Sequence, residues 1–379
     1  MTDADRPTEA LTIAPFSIPF SIMLKPVGAR CNLACDYCYY LATPHTAPRM
    51  SDQLLERFIQ EYFKMQTGVE VPFTWHGGEP LLLPVTFYEN AVRLQRKYAN
   101  GRPFVNVIQT NGTLLTDEWC SFLKRNNFLV GISIDGTEAL HDHYRCATDG
   151  TPSWHRVMRG IGLLSRYGIE WNAMATVNAF NVHHPAEFYQ FFKSIGAHYI
   201  QLSPIVERLP DGTMTPESIT AREWGDFLCT IFDEWVEHDR GEYYVETFDC
   251  ILANWVGQAP GICVYAKECG NIGIMESNGD IYCCDHFPFP EYKVGNVLQT
   301  PLVSLLYGAR QREFARKKSQ LLPRECRECE YLFACHGECP KNRILTDRYG
   351  EPGLNWLCQG YRQFFAHATP YMEWMKRQL

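Results

Sequence analysis

Three observations predict an α/β fold in two parts. Between residues 19 and 205, short β-rich runs alternate with amphipathic helical stretches, the pattern of parallel βα units. The segments that follow those runs are rich in glycine and small polar residues, as at the ligand-binding ends of parallel strands. From about Gly261 onward, cysteines, glycines, prolines and short loops replace the long periodic elements. The expectation is a partial (β/α)6 TIM-like barrel over residues 18–240, then a smaller cysteine-rich domain over residues 241–379 with a C-terminal helix.

Taken in order, the strands are expected at FSIMLKP from Phe20, VPFTW from Val71, FVNVIQT from Phe104, FLVGISI from Phe128, IEWNAMATV from Ile169 and YIQLSPI from Tyr199. Each is rich in the β-branched and aromatic residues that suit a pleated, half-buried surface. Helices between them open on cap residues: Ser51 before DQLLERFIQEYFKM, Thr116 before DEWCSFLKRN, and Ser153 before WHRVMRGIGLLSRYG. Six units suit an open or partial barrel better than a closed eightfold one. The strand ends then carry KPVGARC, WHGGEP, QTNGT, SIDG and QLSP. A further helix from Thr220 sets Trp224, Phe227, Leu228, Ile231, Phe232 and Trp235 at helical spacing, which is a core-facing stripe.

Composition narrows the function. The 379 residues carry a net charge of −8 and no long basic run, so a nucleic-acid partner is not expected. The short run ARKKS at Ala315 to Ser319 reads as a solvated helix face. The N-terminal stretch lacks the features of a signal peptide, and no segment runs 18 residues without charge, so a cytoplasmic protein with no membrane partner is expected. Sixteen cysteines in a reducing compartment favour metal or cluster ligation over disulfides.

The loop after the first strand, CNLACDYCYY, sets Cys31, Cys35 and Cys38 in a C-x3-C-x2-C spacing. Three close thiolates can hold three irons of a [4Fe-4S] cube and leave the fourth iron open to a substrate or cofactor. Zinc is the alternative, but a structural zinc site wants four ligands, and His45 lies across a proline-rich loop at an untypical distance. With Tyr37 before the last cysteine and GGEP after the second strand, this constellation resembles the radical S-adenosylmethionine (SAM) enzymes. In that family the open iron chelates SAM, whose reductive cleavage yields a 5′-deoxyadenosyl radical. The resemblance implies that Gly77, Gly78 and Glu79 meet the amino group of SAM, Ser133 its ribose or carboxylate, Arg145 its carboxylate, and Tyr37 and Leu202 its adenine. Without the resemblance, Glu79 reads as a helix cap, Arg145 as a surface cation and Ser133 as a strand end.

Nine cysteines lie beyond residue 260, one more than two fully thiolate-ligated cubes require. The run CRECEYLFACHGEC resembles the SPASM domain found at the C-terminus of radical SAM enzymes that act on peptides. That resemblance implies one auxiliary cluster on Cys263, Cys269, Cys284 and Cys339, and a second on Cys326, Cys329, Cys335 and Cys358. Spacing alone would equally allow a sequential grouping, or zinc ribbons. Within IGIMESNGDIYCC, Asn278-Gly279 suggests a two-residue hairpin turn, which pairs Met275 with Tyr282, Ile274 with Cys283, and Gly273 with Cys284. The open space beside a glycine makes Cys284 the better ligand and Cys283 a small buried hydrophobe. Cys120, Cys146, Cys229 and Cys250 lack partners at ligand spacing and read the same way.

From the first strand to Cys358 the chain is similar to the anaerobic sulfatase-maturating enzymes, on CNLACDYCYYL, WHGGEP, QTNGTLL, SIDG followed by HDHYR, CDHF, and a tail spacing that ends in NWLC. The resemblance implies three [4Fe-4S] clusters, SAM, and oxidation of an active-site Cys or Ser of an unfolded or nascent sulfatase to Cα-formylglycine. A reducing donor such as flavodoxin or ferredoxin supplies electrons. Asp285 takes the family's acidic position after the cluster cysteine, as the base that removes a proton once hydrogen has been abstracted; at an ordinary pKa near ~3.9 it is a poor match for a ground-state thiol. The alternative is a carboxylate that only accepts a hydrogen bond at a turn. Tyr40 and His76 are placed to meet the peptide. His141, His143, His183 and His184 read as exposed loop histidines. Competing readings are a thioether- or carbon-crosslinking peptide modifier, a multi-cluster electron carrier and a zinc-stabilised binding module. The first often carries an N-terminal clasping domain for which the stretch before Phe20 has no room, and the second gains nothing from an open iron.

Overall fold

The computed structural model describes residues 20–41, 49–270 and 272–379; the N-terminal stretch, the domain start at residue 18 and His45 lie outside them. All six expected strands form: β1 Ser21–Leu24, β2 Val71–Trp75, β3 Phe104–Thr110, β4 Phe128–Ser133, β5 Trp171–Val177 and β6 Tyr199–Pro204. They pair in parallel in chain order. A short β7, Tyr244–Val245, continues the sheet beside β6, past residue 240. Along β2 the alternation buries Val71, Phe73 and Trp75, and helices cover that face, Phe73 packing on Phe58 and Tyr62 and Trp75 on Phe87 and Tyr88.

Local chemistry sets the helix starts. Ser51 accepts the N–H of Leu54 (3.2 Å) and Thr116 that of Trp119 (3.3 Å), each satisfying an orphan donor. Thr220 and Glu223 form a reciprocal capping box ahead of the helix Ala221–Glu234. Its expected stripe, from Trp224 to Trp235, is buried, and Trp224 packs edge-on against Tyr361 of the helix Cys358–Lys376. The helix Trp154–Tyr167 begins after Ser153 at its N-cap position as expected, but the Ser153 side chain makes no capping bond. Asp142 Oδ1 accepts the N–H groups of both Ser153 and Trp154 (2.8 Å each), and the Ser153 hydroxyl instead donates to the carbonyl of Arg145 (2.5 Å).

The tail joins the same sheet. β8 (Ile272–Met275) pairs in parallel with β1, and β9 (Asp280–Tyr282) and β10 (Lys293–Asn296) follow antiparallel, giving ten strands in the order β10-β9-β8-β1-β2-β3-β4-β5-β6-β7. The hairpin register differs from the sequence expectation by one residue. Ile274 faces Tyr282 and Met275 faces Ile281, because the connection is a three-residue loop, residues 277–279, with Gly279 at φ +87°. Continuing that register sets Gly273 against Cys283, and Leu306 and Phe20 already fill the space beside the glycine. The expected reason for choosing Cys284 therefore fails. Cys283 is nonetheless buried in the core at 2% exposure, while Cys284 is only half-buried.

Two further expectations are corrected. The helix Ala309–Gln320 is not solvated throughout ARKKS, since Lys318 is 1% exposed and donates to the carbonyls of Cys263 (2.5 Å) and Val264 (2.7 Å). His141 is fully buried, its ring bonded to the N–H of Asp135 and to Ser153 Oγ. At the N-terminal ends of β4 to β7, a cavity of about 670 Å³ is lined by Trp171, Tyr199, Tyr244, Glu246 and Asp249 among others.

Candidate active site

The C-terminal ends of β1 to β6 carry Lys25, His76, Asn111, Ser133, Asp135, Thr176 and Leu202, so the chemistry-bearing residues gather at one end of the sheet. The Cys31–Cys38 loop sits on this end, its thiols close enough to interact with one another. Burial pushes Cys31 up to about 11 and Cys35 up to about 12, so a metal bound by these thiols would displace their protons. The loop is anchored to GGEP by two backbone bonds, Gly78 N–H to the Gly28 carbonyl and Glu79 N–H to that of Arg30 (2.8 Å each). A Cβ on Gly78 would lie 2.0 Å from the Arg30 oxygen, and Gly77 adopts φ +120°, so the double glycine serves contact between the two loops. The amide of Asn111 lies 3.8 Å from Cys31 Sγ.

Glu79 is fully buried and accepts from the N–H of Leu81 (2.9 Å), Thr110 Oγ1 (2.8 Å) and the N–H of Asn111 (2.8 Å). Burial, only partly offset by those donors, raises its carboxyl to about 7. Arg145 is buried too, and is no surface cation. It grips Asp135 through Nε (2.8 Å) and Nη2 (3.1 Å), bonds Thr176 Oγ1 (3.1 Å), and lies 5.4 Å from the centre of the Tyr37 ring. Tyr37 donates its hydroxyl to the same Asp135, and the N–H of Thr176 closes the set (2.8 Å). Asp135, quoted within SIDG but given no role from sequence, is thus the hub that fixes both Tyr37 and Arg145. Ser133 accepts from Gln109 Nε2 (3.0 Å), and Leu202 is largely buried on β6.

Asp285 lies where barrel and tail meet. Its Oδ1 pairs with the ammonium of Lys25, and its Oδ2 accepts from the Tyr39 hydroxyl (2.8 Å). Burial alone would raise its carboxyl, but the Lys25 ammonium outweighs that by its charge and its hydrogen bond and holds it well below the usual carboxylate range. His76 accepts the N–H of Gly77 at Nδ1 (2.7 Å), which leaves its proton on Nε2, and burial keeps the ring neutral. Tyr40, expected to meet the peptide, is turned toward Glu276. It is 4% exposed, its hydroxyl bonds both oxygens of buried Glu276 (2.9 and 2.8 Å), and the Lys25 ammonium sits 3.4 Å above its ring. Lys25, Tyr39 and Glu276 were missed from sequence. The only signal was position, since Lys25 directly follows β1 and Tyr39 directly follows Cys38.

Behind Asp285 the tail thiols fall into two sets. Cys284 interacts with Cys339 and Cys263, and Cys339 with Cys263 and Cys269. Cys326, Cys329, Cys335 and Cys358 line one cavity together with Leu332, Tyr361 and Phe365. The first set is four mutually interacting thiols, and the second is four thiols around a common space. Among the described residues no group of His, Cys, Asp or Glu is drawn in tightly enough for a single metal ion. Four converging thiols spaced around a cavity fit an iron-sulfur cube better than one zinc.

Comparison with known proteins agrees with this geometry. The radical SAM superfamily model matches residues 26–192, and the SPASM model, an iron-sulfur cluster-binding domain, matches residues 267–330. A serine-type anaerobic sulfatase-maturating enzyme of Bacteroides thetaiotaomicron is 53% identical, over 98% of this chain and 94% of its own. A cysteine-type anaerobic sulfatase-maturating enzyme of Clostridium novyi is 31% identical, over 95% of this chain and 98% of its own. The solved structure of native anSMEcpe with bound AdoMet and Kp18Cys peptide superposes with a TM-score of 0.87 at 28% identity, covering 96% of this chain and 100% of that one. With the expected motifs in place and the likeness spanning both chains almost end to end, the protein belongs to the anaerobic sulfatase-maturating enzymes, which unite a radical SAM domain with a SPASM domain.

Proposed function

We propose that this enzyme acts on a serine of a sulfatase polypeptide, removing two hydrogens from the side chain to leave Cα-formylglycine. The 53% identity to a serine-type relative, against 31% to a cysteine-type one, supports serine over cysteine. Cys31, Cys35 and Cys38 would hold the SAM-binding cluster, and the two tail sets the auxiliary clusters. When bound, these groups and SAM supply hydrogen-atom abstraction and one-electron transfer. Gly77, Gly78, Glu79, Ser133, Arg145, Tyr37 and Leu202 would position SAM, with Asp135 fixing Arg145 and Tyr37.

The observation that carries the reading is Asp285, a carboxylate one residue from Cys284 and ion-paired to Lys25 at the end of β1. Held well below the ordinary range, it is ionised and ready to accept a proton, but too weak a base for a ground-state alcohol. That orders the steps: a hydrogen atom leaves the serine Cβ first, which acidifies the hydroxyl. Asp285 then takes the hydroxyl proton while the remaining electron passes toward the adjacent thiol set. Lys25 and Tyr39 hold the carboxylate in place, and His76 presents its Nε2–H beside it. We further propose a flavodoxin or ferredoxin as the reductant, a cytoplasmic site of action, and a division between barrel and tail near residue 240. Among the described residues no helix is long and apolar enough to cross a membrane.

The test is an anaerobic assay of the iron-loaded enzyme with SAM and reductant on a peptide containing Ser-x-Pro-x-Arg. Mass spectrometry should show the loss of two hydrogens from serine. SAM cleavage with an unaltered peptide mass would remove the assignment.

A further inference from the structure

We infer that Lys318 is the resident counter-cation of the Cys263, Cys269, Cys284 and Cys339 set, and that it raises the reduction potential of the cluster held there. The inference rests on the proposal that this set holds a cluster.

Lys318 is 1% exposed, yet both hydrogen bonds of its ammonium go to neutral carbonyls, those of Cys263 and Val264. Among the described residues no carboxylate forms an ion pair with it. The acidic groups that face it are Cys269, Cys263, Glu338 and Cys339, and burial disfavours its charged form. Glu338 is itself buried and already engaged by Asn342 and Asn355, and burial favours its neutral form. A buried ammonium without a counter-charge is strongly unfavourable, so the natural partner for Lys318 is the negative charge of a thiolate-ligated cluster. Reduction adds one electron to that charge, and a nearby fixed cation stabilises the reduced form more than the oxidised one.

A second group acts in the same direction. His286 Nδ1 lies 3.3 Å from Cys339 Sγ, within hydrogen-bonding reach of the sulfur. Carboxylates face both thiol sets, Asp285 and Glu338 the first and Glu325 and Asp347 the second, where Arg343 and Arg362 are the facing cations. Lys318 is the buried ammonium bonded beside the set next to Asp285, toward which the proposed reaction sends its electron.

The test is a potentiometric titration, followed by electron paramagnetic resonance, of the anaerobically reconstituted full-length enzyme. Lys318→Gln keeps a donor for the carbonyls but has no charge, and Lys318→Met serves in its place if Lys318→Gln fails to fold. Either should move one redox transition to lower potential by about tenfold in the reduced-to-oxidised ratio, 59 mV for a one-electron couple. Lys318→Arg should hold the wild-type value. An unchanged potential in the neutral variant at full iron content overturns the inference, as does an equal fall in Lys318→Arg. Wild-type enzyme that binds no iron through these four cysteines would instead sink the cluster reading on which the inference rests.

Discussion

Lys25 and Asp285 form an ion pair across the junction of the barrel and the cysteine-rich tail, one residue past β1 on one side and one past Cys284 on the other. Lys25 is 1% exposed, so removing its partner strands a charge in the interior. Lys25→Met or Asp285→Asn alone should each lower stability by about 3 kcal/mol. The double variant should recover more than half of that loss in anaerobic denaturation, because neither charge is then left unpaired. Additive losses would show that the two residues are not coupled.

Chemistry and assembly should separate in Asp285→Asn. Iron content and SAM binding are expected to match wild type, since Asp285 is neither a thiol nor bonded to the Glu79 and Arg145 networks. Aldehyde formation should fall at least about a hundredfold, the scale of losing a positioned proton acceptor. Full product yield would leave Asp285 as a structural partner of Lys25.

Gly78→Ala tests the contact between GGEP and the Cys31 loop. Its Cβ would stand 2.0 Å from the Arg30 carbonyl oxygen, and both neighbours there are backbone, so the loops must part. Iron bound by Cys31, Cys35 and Cys38 should be lost, with the auxiliary sets retained. Electron paramagnetic resonance in the presence and absence of SAM reads this directly.

Cys283 and Cys284 should behave oppositely. Cys284→Ala is expected to lower iron content, whereas Cys283→Ala should keep it and cost about 1 kcal/mol for a small core void. Equal iron loss in both would return the adjacent pair to an open question.

Asp249, in the cavity at the far end of the strands, should be a pH-dependent liability. Burial raises its carboxyl to about 6. Its contribution is therefore favourable below the unfolded pKa near ~4 and is lost as pH rises through about 6. Asp249→Asn should be more stable than wild type at pH 7.5 by about 1 kcal/mol after allowing for partial exposure, and indistinguishable at pH 4. Thermal midpoints at the two pH values decide it.

The strands and the two cysteine regions were legible because each leaves a local trace: β-rich runs that end in small residues, and thiols at fixed spacing. What escaped depends on groups far apart in the chain. Lys25 and Lys318 look like ordinary surface cations until β8 and the 263–269 loop are folded against them. Tyr39 and Tyr40 are adjacent and chemically alike, and only the backbone direction after Cys38 turns one to Asp285 and the other to Glu276. The hairpin register failed because SNG closes a three-residue loop as readily as NG closes a two-residue one. Asp135 was in view but assigned nothing, since a hub is recognised by its partners, here Tyr37, Arg145 and Thr176.

The pairing of β1 with β8 also bears on how the chain is made. The strand that completes one flank of β1 is synthesised roughly 250 residues after it, at typical rates of ~5–20 residues per second. Until then the nascent barrel carries an unfinished parallel edge, which invites wrong partners. The cysteine-rich tail thus also covers the free edge of β1, and a chain stopped at residue 240 should aggregate rather than survive as a smaller SAM-binding protein.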